Sequence, residues 1–254
     1  MPRVLVLLAL LLAACDAGPL GPAALADVPL TPGVSRVEVE GDDGPVRFTL
    51  SVPDGLTAGA RVPLVVALHW SGDVTPYYGE TYLRALAAPG LAGLGAIVVA
   101  PDRPGREWDS PESVAVVRAL TEAAVAAWPV DRRRVAVTGY SQGGFGTWSA
   151  LAAAPDLFSA GIAMAAYPIT DGGGRPVYVI HGTRDELYAA FDTERAVARL
   201  AAEGKPVVYA PAEGLTHTEP AAYVPALQDA ARWLADEVWS LQRREVLVDE
   251  RDGD

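Results

Sequence analysis

Six short runs of almost unbroken apolar residues punctuate the chain: VPLVVALH (62–69), AIVVAP (96–101), RVAVTG (134–139), SAGIAMAA (159–166), PVYVIHG (176–182) and PVVYAP (206–211). Each is too short for a buried helix and apolar toward both faces, the pattern of parallel strands in a sheet that helices cover on either side. Segments of helical length separate them. DSPESVAVVRALTEAAVAAW carries a polar cap at Asp109 or Ser110, Pro111 near its first turn and a stripe through Val117, Leu120, Ala124 and Trp128. After Ser141, the residues Phe145, Trp148 and Leu151 recur every three positions and are expected to face the sheet. DTERAVARLAAEG (192–204) stops at Gly204, and a last helix is expected from about Glu219 to Arg243. Upstream, RVEVE (36–40) and VRFTLSV (46–52) alternate and read as half-exposed antiparallel strands. At 254 residues, 50% of them hydrophobic, the chain can bury one full core. The expectation is a single α/β domain over 35–243, with a mostly parallel sheet and helices on both faces.

In an open parallel sheet, sites form beyond the carboxyl ends of the strands. His69 closes the first apolar run, Asp102 follows the second, Ser141 follows the third, His181 lies near the end of the fifth, and His217 is just past the sixth. Polar chemistry is therefore expected along one edge.

The strongest local signal is AVTGYSQGGFG (136–146), in which GYSQG (139–143) fits G-x-S-x-G between a strand and a helix. Its glycines permit a turn too tight for a Cβ, which leaves the Ser141 hydroxyl exposed and aims the Gln142 N–H at the place where an oxyanion forms. The helix behind it adds the positive end of its dipole. A phosphate-cradling loop, the competing explanation, calls for G-K-[ST] or G-x-G-x-x-G, and this stretch has neither.

A serine hydroxyl needs a base, and the chain offers three histidines. His69 precedes the serine, and His181 sits at a strand end. His217, in AEGLTHTEP, leaves room for an acid on a strand-end loop, giving the order serine, acid, histidine. Asp185 in HGTRDELY is the favoured acid, with its neighbour Glu186 and the earlier Asp171 as alternatives. Metal-ligand spacing is absent, and neither a metal nor another cofactor is expected.

The ends carry separate information. MPRVLVLLALLLAAC has a basic residue, Arg3, an apolar stretch from Val4 to Leu12, and small residues before Cys15, the only cysteine. Shorter than the ~20 residues of a membrane span, the stretch reads as an export signal over 1–14. A single cysteine excludes an internal disulfide framework. LAAC (12–15) resembles the lipobox of bacterial lipoproteins, whose cysteine becomes the lipidated N-terminus. That resemblance implies an exported protein of the bacterial cell envelope, held to a membrane through lipid on Cys15. Residues 15–34, rich in Pro, Gly and Ala without a usable period, read as a tether, and an acidic tail is expected over 244–254. The formal net charge of −12, with no Lys/Arg cluster interleaved with aromatics, argues against nucleic acid as a partner.

LHWSGD (68–73), GYSQGG (139–144), HGTRD (181–185) and GLTH (214–217) together resemble the α/β-hydrolase fold over about 46–240. They look most like its phospholipase/carboxylesterase branch, and are also similar to bacterial feruloyl-esterase and polyhydroxybutyrate-depolymerase-like enzymes. The resemblance implies Ser141 as nucleophile, His217 as base and Asp185 as the acid that orients it. In that branch the first motif reads H-G-x-G-D and its third residue donates one oxyanion N–H, which implies Ser71 as donor beside Gln142. His69 then supports the loop through a hydrogen bond. Trp70 departs from the pattern, since glycine is usual there; an indole at that point either packs into the core or projects into the cleft.

Only YPITDGGGR lies between the strand ending at Ala166 and the one beginning near Pro176. That leaves no room for a lid or cap domain, and implies an open cleft for small-molecule or polymer-attached esters. Trp108, Tyr77 and Tyr78 fall on loops near the expected site and are candidates for its lining. The functional expectation is a serine esterase working through an acyl-enzyme. A serine peptidase on the same residues and a non-catalytic surface binding protein that kept the fold are the alternatives.

Overall fold

In the computed structural model, which describes residues 20–240 except 22 and 58, the six apolar runs form adjacent strands of one eight-stranded sheet, five of them inner and the sixth at an edge. The export signal, Cys15, the acidic tail and residues 241–243 of the expected last helix lie outside the described residues. The strands are β1 (Gly33–Gly41), β2 (Gly44–Val52), β3 (Val62–Leu68), β4 (Ile97–Pro101), β5 (Val130–Tyr140), β6 (Ala160–Met164), β7 (Val177–Gly182) and β8 (Val207–Ala212). They lie in the order β1-β2-β4-β3-β5-β6-β7-β8. β2 pairs antiparallel with both β1 and β4, and every pair from β4 to β8 is parallel.

Both faces of the sheet are covered, and the strand residues sort between them with period two. In β3, Leu64, Val66 and Leu68 join one core layer while Val65 and Ala67 join the other; in β4, Ile97 and Val99 oppose Val98 and Ala100 in the same way. One face carries α3 (Pro111–Ala127), α4 (Gln142–Ala153) and α5 (Ala190–Ala202). The other carries α1 (Gly79–Tyr82), α2 (Ala88–Leu91), the π-helical turn Leu83–Ala87 between them, and α6 (Val224–Trp233), which runs on into a π-helical turn, Leu234–Val238. Ser110 is the cap of α3, its hydroxyl accepting from the Ser113 N–H, and Pro111 takes the first helical position, where its missing N–H costs nothing. β1 alternates as expected and stays half-exposed, with Arg36, Glu38 and Glu40 along a sheet edge that charge protects from pairing with other chains.

Two expectations change. Part of the segment assigned to the tether lies against the body: Leu20 and Leu25 are buried in the α3 layer, Ala24, Val28 and Leu30 pack against it, and the Trp128 indole N–H donates to the Leu25 carbonyl at 3.2 Å. Burying one leucine is worth ~2 kcal/mol, enough to hold an otherwise irregular segment down, so any free linker is shorter than 15–34. Phe145 does not face the sheet with Trp148 and Leu151. A three-residue step turns 300° around a helix, so a position two steps away has drifted by about 120°. Phe145 instead packs edge-on to Tyr167 and Tyr188.

Between β6 and β7 the chain makes only one 3₁₀ turn, Gly172–Gly174, and the described residues contain no inserted lid. The carboxyl ends of β3, β4, β5, β7 and β8 consequently open on the same edge.

Candidate active site

β5 runs into α4 through a single residue in a rare conformation. Ser141 has φ 56° and ψ −119°, left-handed for a residue with a side chain, and its N–H is anchored on the Met164 carbonyl at 2.9 Å. Such strain persists only where the surroundings impose it. Two glycines supply the imposition. A Cβ at Gly139 would lie 2.0 Å from the Gly143 carbonyl oxygen, and one at Gly143 would lie 1.9 Å from the Leu68 oxygen, so strand, turn and helix close only with hydrogen at both positions.

The turn aims the Ser141 hydroxyl at His217. Oγ lies 2.8 Å from Nε2, and Nδ1 of the same ring lies 2.7 Å from Oδ2 of Asp185. An ionised carboxylate only accepts, so Nδ1 carries the ring proton and donates it to Asp185, which leaves Nε2 to accept from the serine. Asp185 is in turn held by the chain that follows it: Oδ1 accepts from the Leu187 and Tyr188 N–H groups at 2.9 and 2.8 Å. His217 is clamped through its backbone, its carbonyl taking the Tyr140 hydroxyl at 2.8 Å and its N–H donating to Glu186 Oε2 at 2.9 Å. The adjacent carboxylates thus divide the work, Asp185 on the ring and Glu186 on the main chain. Asp171 lies elsewhere, capping a 3₁₀ turn and pairing with Lys205 at 2.6 Å.

His181 contributes in a way the sequence did not signal. Fully buried at the end of β7, its Nε2 lies 2.9 Å from the Tyr188 carbonyl and 3.2 Å from Asp185 Oδ2, so its N–H braces the acid from behind. Burial pushes its pKa down, which keeps it the neutral donor that this geometry requires.

The second half of the site comes from the loop after β3. His69 Nδ1 lies 2.6 Å from the Trp70 carbonyl and Nε2 accepts from the Arg103 N–H at 3.3 Å, which ties the β3 and β4 loops together. The Trp70 ring turns away from the cleft and packs edge-on to Tyr82 and Tyr140, at 5.7 and 6.3 Å between centroids. The N–H groups of Ser71 and Gln142 donate to no protein acceptor among the described residues, and Ser71, Gln142 and Ser141 line one open cleft of about 940 Å³.

Arg103, which no pattern in the sequence singled out, joins both sides of that cleft. Its guanidinium donates to Gln142 Oε1, to the Gly105 carbonyl at 2.9 Å and to the Gly72 carbonyl at 3.4 Å. The Gln142 amide nitrogen reaches the Arg106 carbonyl at 3.0 Å and the Glu107 carboxylate. Its side chain therefore buttresses the elbow as well as presenting a backbone N–H. None of the three aromatics expected in the lining is there. Trp108 is buried and donates to the His69 carbonyl at 2.8 Å, the Tyr78 hydroxyl donates to the Ser71 carbonyl, and Tyr77 lies under the Arg36 guanidinium. The aromatic ring that borders the cleft is Tyr188.

Burial lowers the His69 pKa to about 4, against an opposing hydrogen bond to the Trp70 carbonyl. Between about pH 6.5 and 4 the unfolded chain accordingly binds a proton that the folded chain excludes, and stability is complete above that window and lost as pH falls through it. The contribution is at most ~3 kcal/mol. His181, also lowered by burial, adds a loss that begins in the same range, and Glu80, held low by Arg84 and Arg36, adds its own once pH falls below the ordinary carboxylate value. Urea unfolding as a function of pH should show a shallower slope over that window in His69→Gln than in the wild type; equal slopes would mean that His69 does not carry it.

Strand order, antiparallel entry, crossovers and the serine on the turn after β5 make this an α/β-hydrolase fold. Comparison with known proteins agrees. A profile of the prolyl oligopeptidase family (peptidase S9) matches residues 106–172, the segment that contains Ser141. Among solved structures, the chain is similar to a thermostable esterase (TM-score 0.67, 23% identity, 80% of this chain and 62% of that one). It is also similar to the fluorophosphonate-binding serine hydrolase F of Staphylococcus aureus (TM-score 0.67, 13% identity, 82% and 100%) and to Thermogutta terrifontis esterase 2 phosphoramylated by tabun (0.64, 16%, 82% and 96%). The chain thus spans less than two thirds of the thermostable esterase. No curated protein matches it by sequence.

Proposed function

We propose that the protein is a serine hydrolase that cleaves carboxylic esters through Ser141, His217 and Asp185. The observation that carries the proposal is the unbroken chain from Ser141 Oγ through both nitrogens of His217 to a buried Asp185. Ser141 Oγ attacks the ester carbonyl as its proton passes to His217 Nε2. The resulting imidazolium is stabilised by Asp185, and the tetrahedral oxyanion is met by the N–H groups of Ser71 and Gln142. Collapse breaks the ester C–O bond while Nε2 returns the proton to the leaving alcohol. Water, deprotonated by the same nitrogen, then releases the acid from the acyl-enzyme.

The cell-envelope location follows from the lipobox-like LAAC, with the mature chain anchored through lipid on Cys15. One experiment addresses both parts. An alkyl fluorophosphonate should give a single adduct on Ser141, and the labelled protein should stay with the membrane fraction unless Cys15 is replaced by serine. No adduct, or equal labelling of Ser141→Ala, would sink the hydrolase proposal; a soluble wild type would sink the anchor.

A second reading, peptide hydrolysis, is favoured by the prolyl oligopeptidase profile over 106–172. The same tetrahedral chemistry serves amides. Turnover of short p-nitrophenyl esters without turnover of aminoacyl-nitroanilides supports the esterase; the reverse supports the peptidase.

A further inference from the structure

The two sides of Ser141 are chemically unlike. Strand order puts the loops after β3 and β4 on one side, and the wall that they build is polar: Ser71, Asp73, Arg103, Arg106 and Glu107 face the cleft there. On the other side lie the loop after β6 and the segment from β7 into α5. They carry Tyr167, Ile169, Leu187 and Phe191, which are four of the five exposed large apolar side chains among the described residues. The fifth, Val208, is on β8.

At the inner margin of that apolar side three rings meet. Phe145, Tyr167 and Tyr188 stand edge-on to one another with centroids 4.9, 5.4 and 5.7 Å apart, and Tyr188 stands edge-on to the His217 ring at 5.3 Å. Tyr167 remains 40% exposed, so the cluster is open to solvent rather than closed into a core. The Tyr188 main chain is held by its N–H on Asp185 and its carbonyl on His181, and its ring by contacts with Phe145, Tyr167 and His217, which leaves little freedom to lose when a ligand stacks on it.

We propose that Phe145, Tyr167 and Tyr188 form the subsite for the alcohol half of the ester, and that the preferred alcohol is an aryl or aralkyl one. The inference rests on the serine-esterase proposal. In that chemistry His217 Nε2 delivers its proton to the departing oxygen, so the alcohol lies on the His217 side, and the group in edge contact with His217 is this cluster. The acyl half extends the opposite way, into the polar cleft. One exposed ring, Tyr167, backed by the half-buried Phe145 and Tyr188, suits another ring, because aromatic pairs in offset or edge-to-face geometry gain beyond simple area burial.

Benzyl acetate and methyl phenylacetate test this directly, being isomers with the phenyl ring on the alcohol in one and on the acyl group in the other. Wild-type kcat/KM should favour benzyl acetate by about tenfold, chiefly through KM. Tyr167→Ala should bring the ratio to within about twofold of unity, and Tyr167→Phe should retain it. Val208→Ser, a change on the β8 surface, should leave the ratio at the wild-type value. A wild-type ratio at or below unity, or equal losses for both esters in Tyr167→Ala, overturns the subsite. Absence of turnover for both esters while fluorophosphonate labels Ser141 also overturns it. The same absence without labelling overturns the esterase proposal instead.

Discussion

Ser141→Ala is expected to lower kcat for a short p-nitrophenyl ester by about 10⁴- to 10⁶-fold while leaving the protein folded. The size follows from the loss of the covalent route: without Oγ, His217 can at best activate a water that nothing positions. The fold survives because the hydroxyl makes its hydrogen bond to His217 alone, whereas the turn is held by main-chain bonds, Ser141 N–H to Met164 and Gly144 N–H to the Ser141 carbonyl at 2.8 Å. Alanine keeps a Cβ at φ 56°, so the strain also remains. Ser141→Gly separates strain from chemistry. It should be as inactive as alanine yet more stable by about 1 kcal/mol, since relief of the left-handed conformation exceeds the extra entropy of an unfolded glycine. Steady-state rates and urea midpoints on the two variants read both effects. A stable Ser141→Ala that keeps more than about a hundredth of wild-type activity would show that another residue is the nucleophile.

What the sequence made legible, and what it hid, divides along physical lines. The inner strands were legible because a strand covered on both faces has no polar positions, and Leu64 to Leu68 or Ile97 to Ala100 fit little else. The elbow was legible because close approach leaves a chemical trace: only glycine fits at Gly139 and Gly143. Contacts made by long side chains leave no such trace. Nothing in DRPGRE (102–107) distinguishes Arg103, which reaches Gln142 and Gly72, from Arg106. Trp108 read as a lining candidate because its loop was well placed, but its indole turned inward to a buried partner, the His69 carbonyl. Leu25 sits in an Ala- and Pro-rich stretch without a period, so its burial depended on a surface around Trp128 that local pattern does not describe. The choice between Asp185 and Glu186 was limited in the same way, because adjacent residues on a turn point in different directions and only coordinates say which meets the ring.

That choice makes Asp185→Asn the more informative of the two largest expected losses. In the wild type Oδ1 is committed to two backbone N–H groups, from Leu187 and Tyr188. An asparagine can satisfy those donors only with its amide oxygen, which turns its NH₂ toward His217 Nδ1. A donor there favours the imidazole tautomer with Nδ1 bare and the proton on Nε2, and that ring can no longer take the Ser141 proton. The same NH₂ opposes the His181 N–H, which loses one of its two acceptors. The expected result is a fall in kcat of about 10⁴-fold with KM little changed, and equally slow fluorophosphonate labelling, in a protein that still unfolds cooperatively. Glu186→Gln provides the contrast. Its amide oxygen can still accept the His217 N–H, so the loop stays in place and activity should fall by less than about tenfold, the cost of exchanging a charged acceptor for a neutral one. The opposite outcome, an active Asp185→Asn beside an inactive Glu186→Gln, would move the acid by one residue and with it the explanation of why His181 is buried at the end of β7.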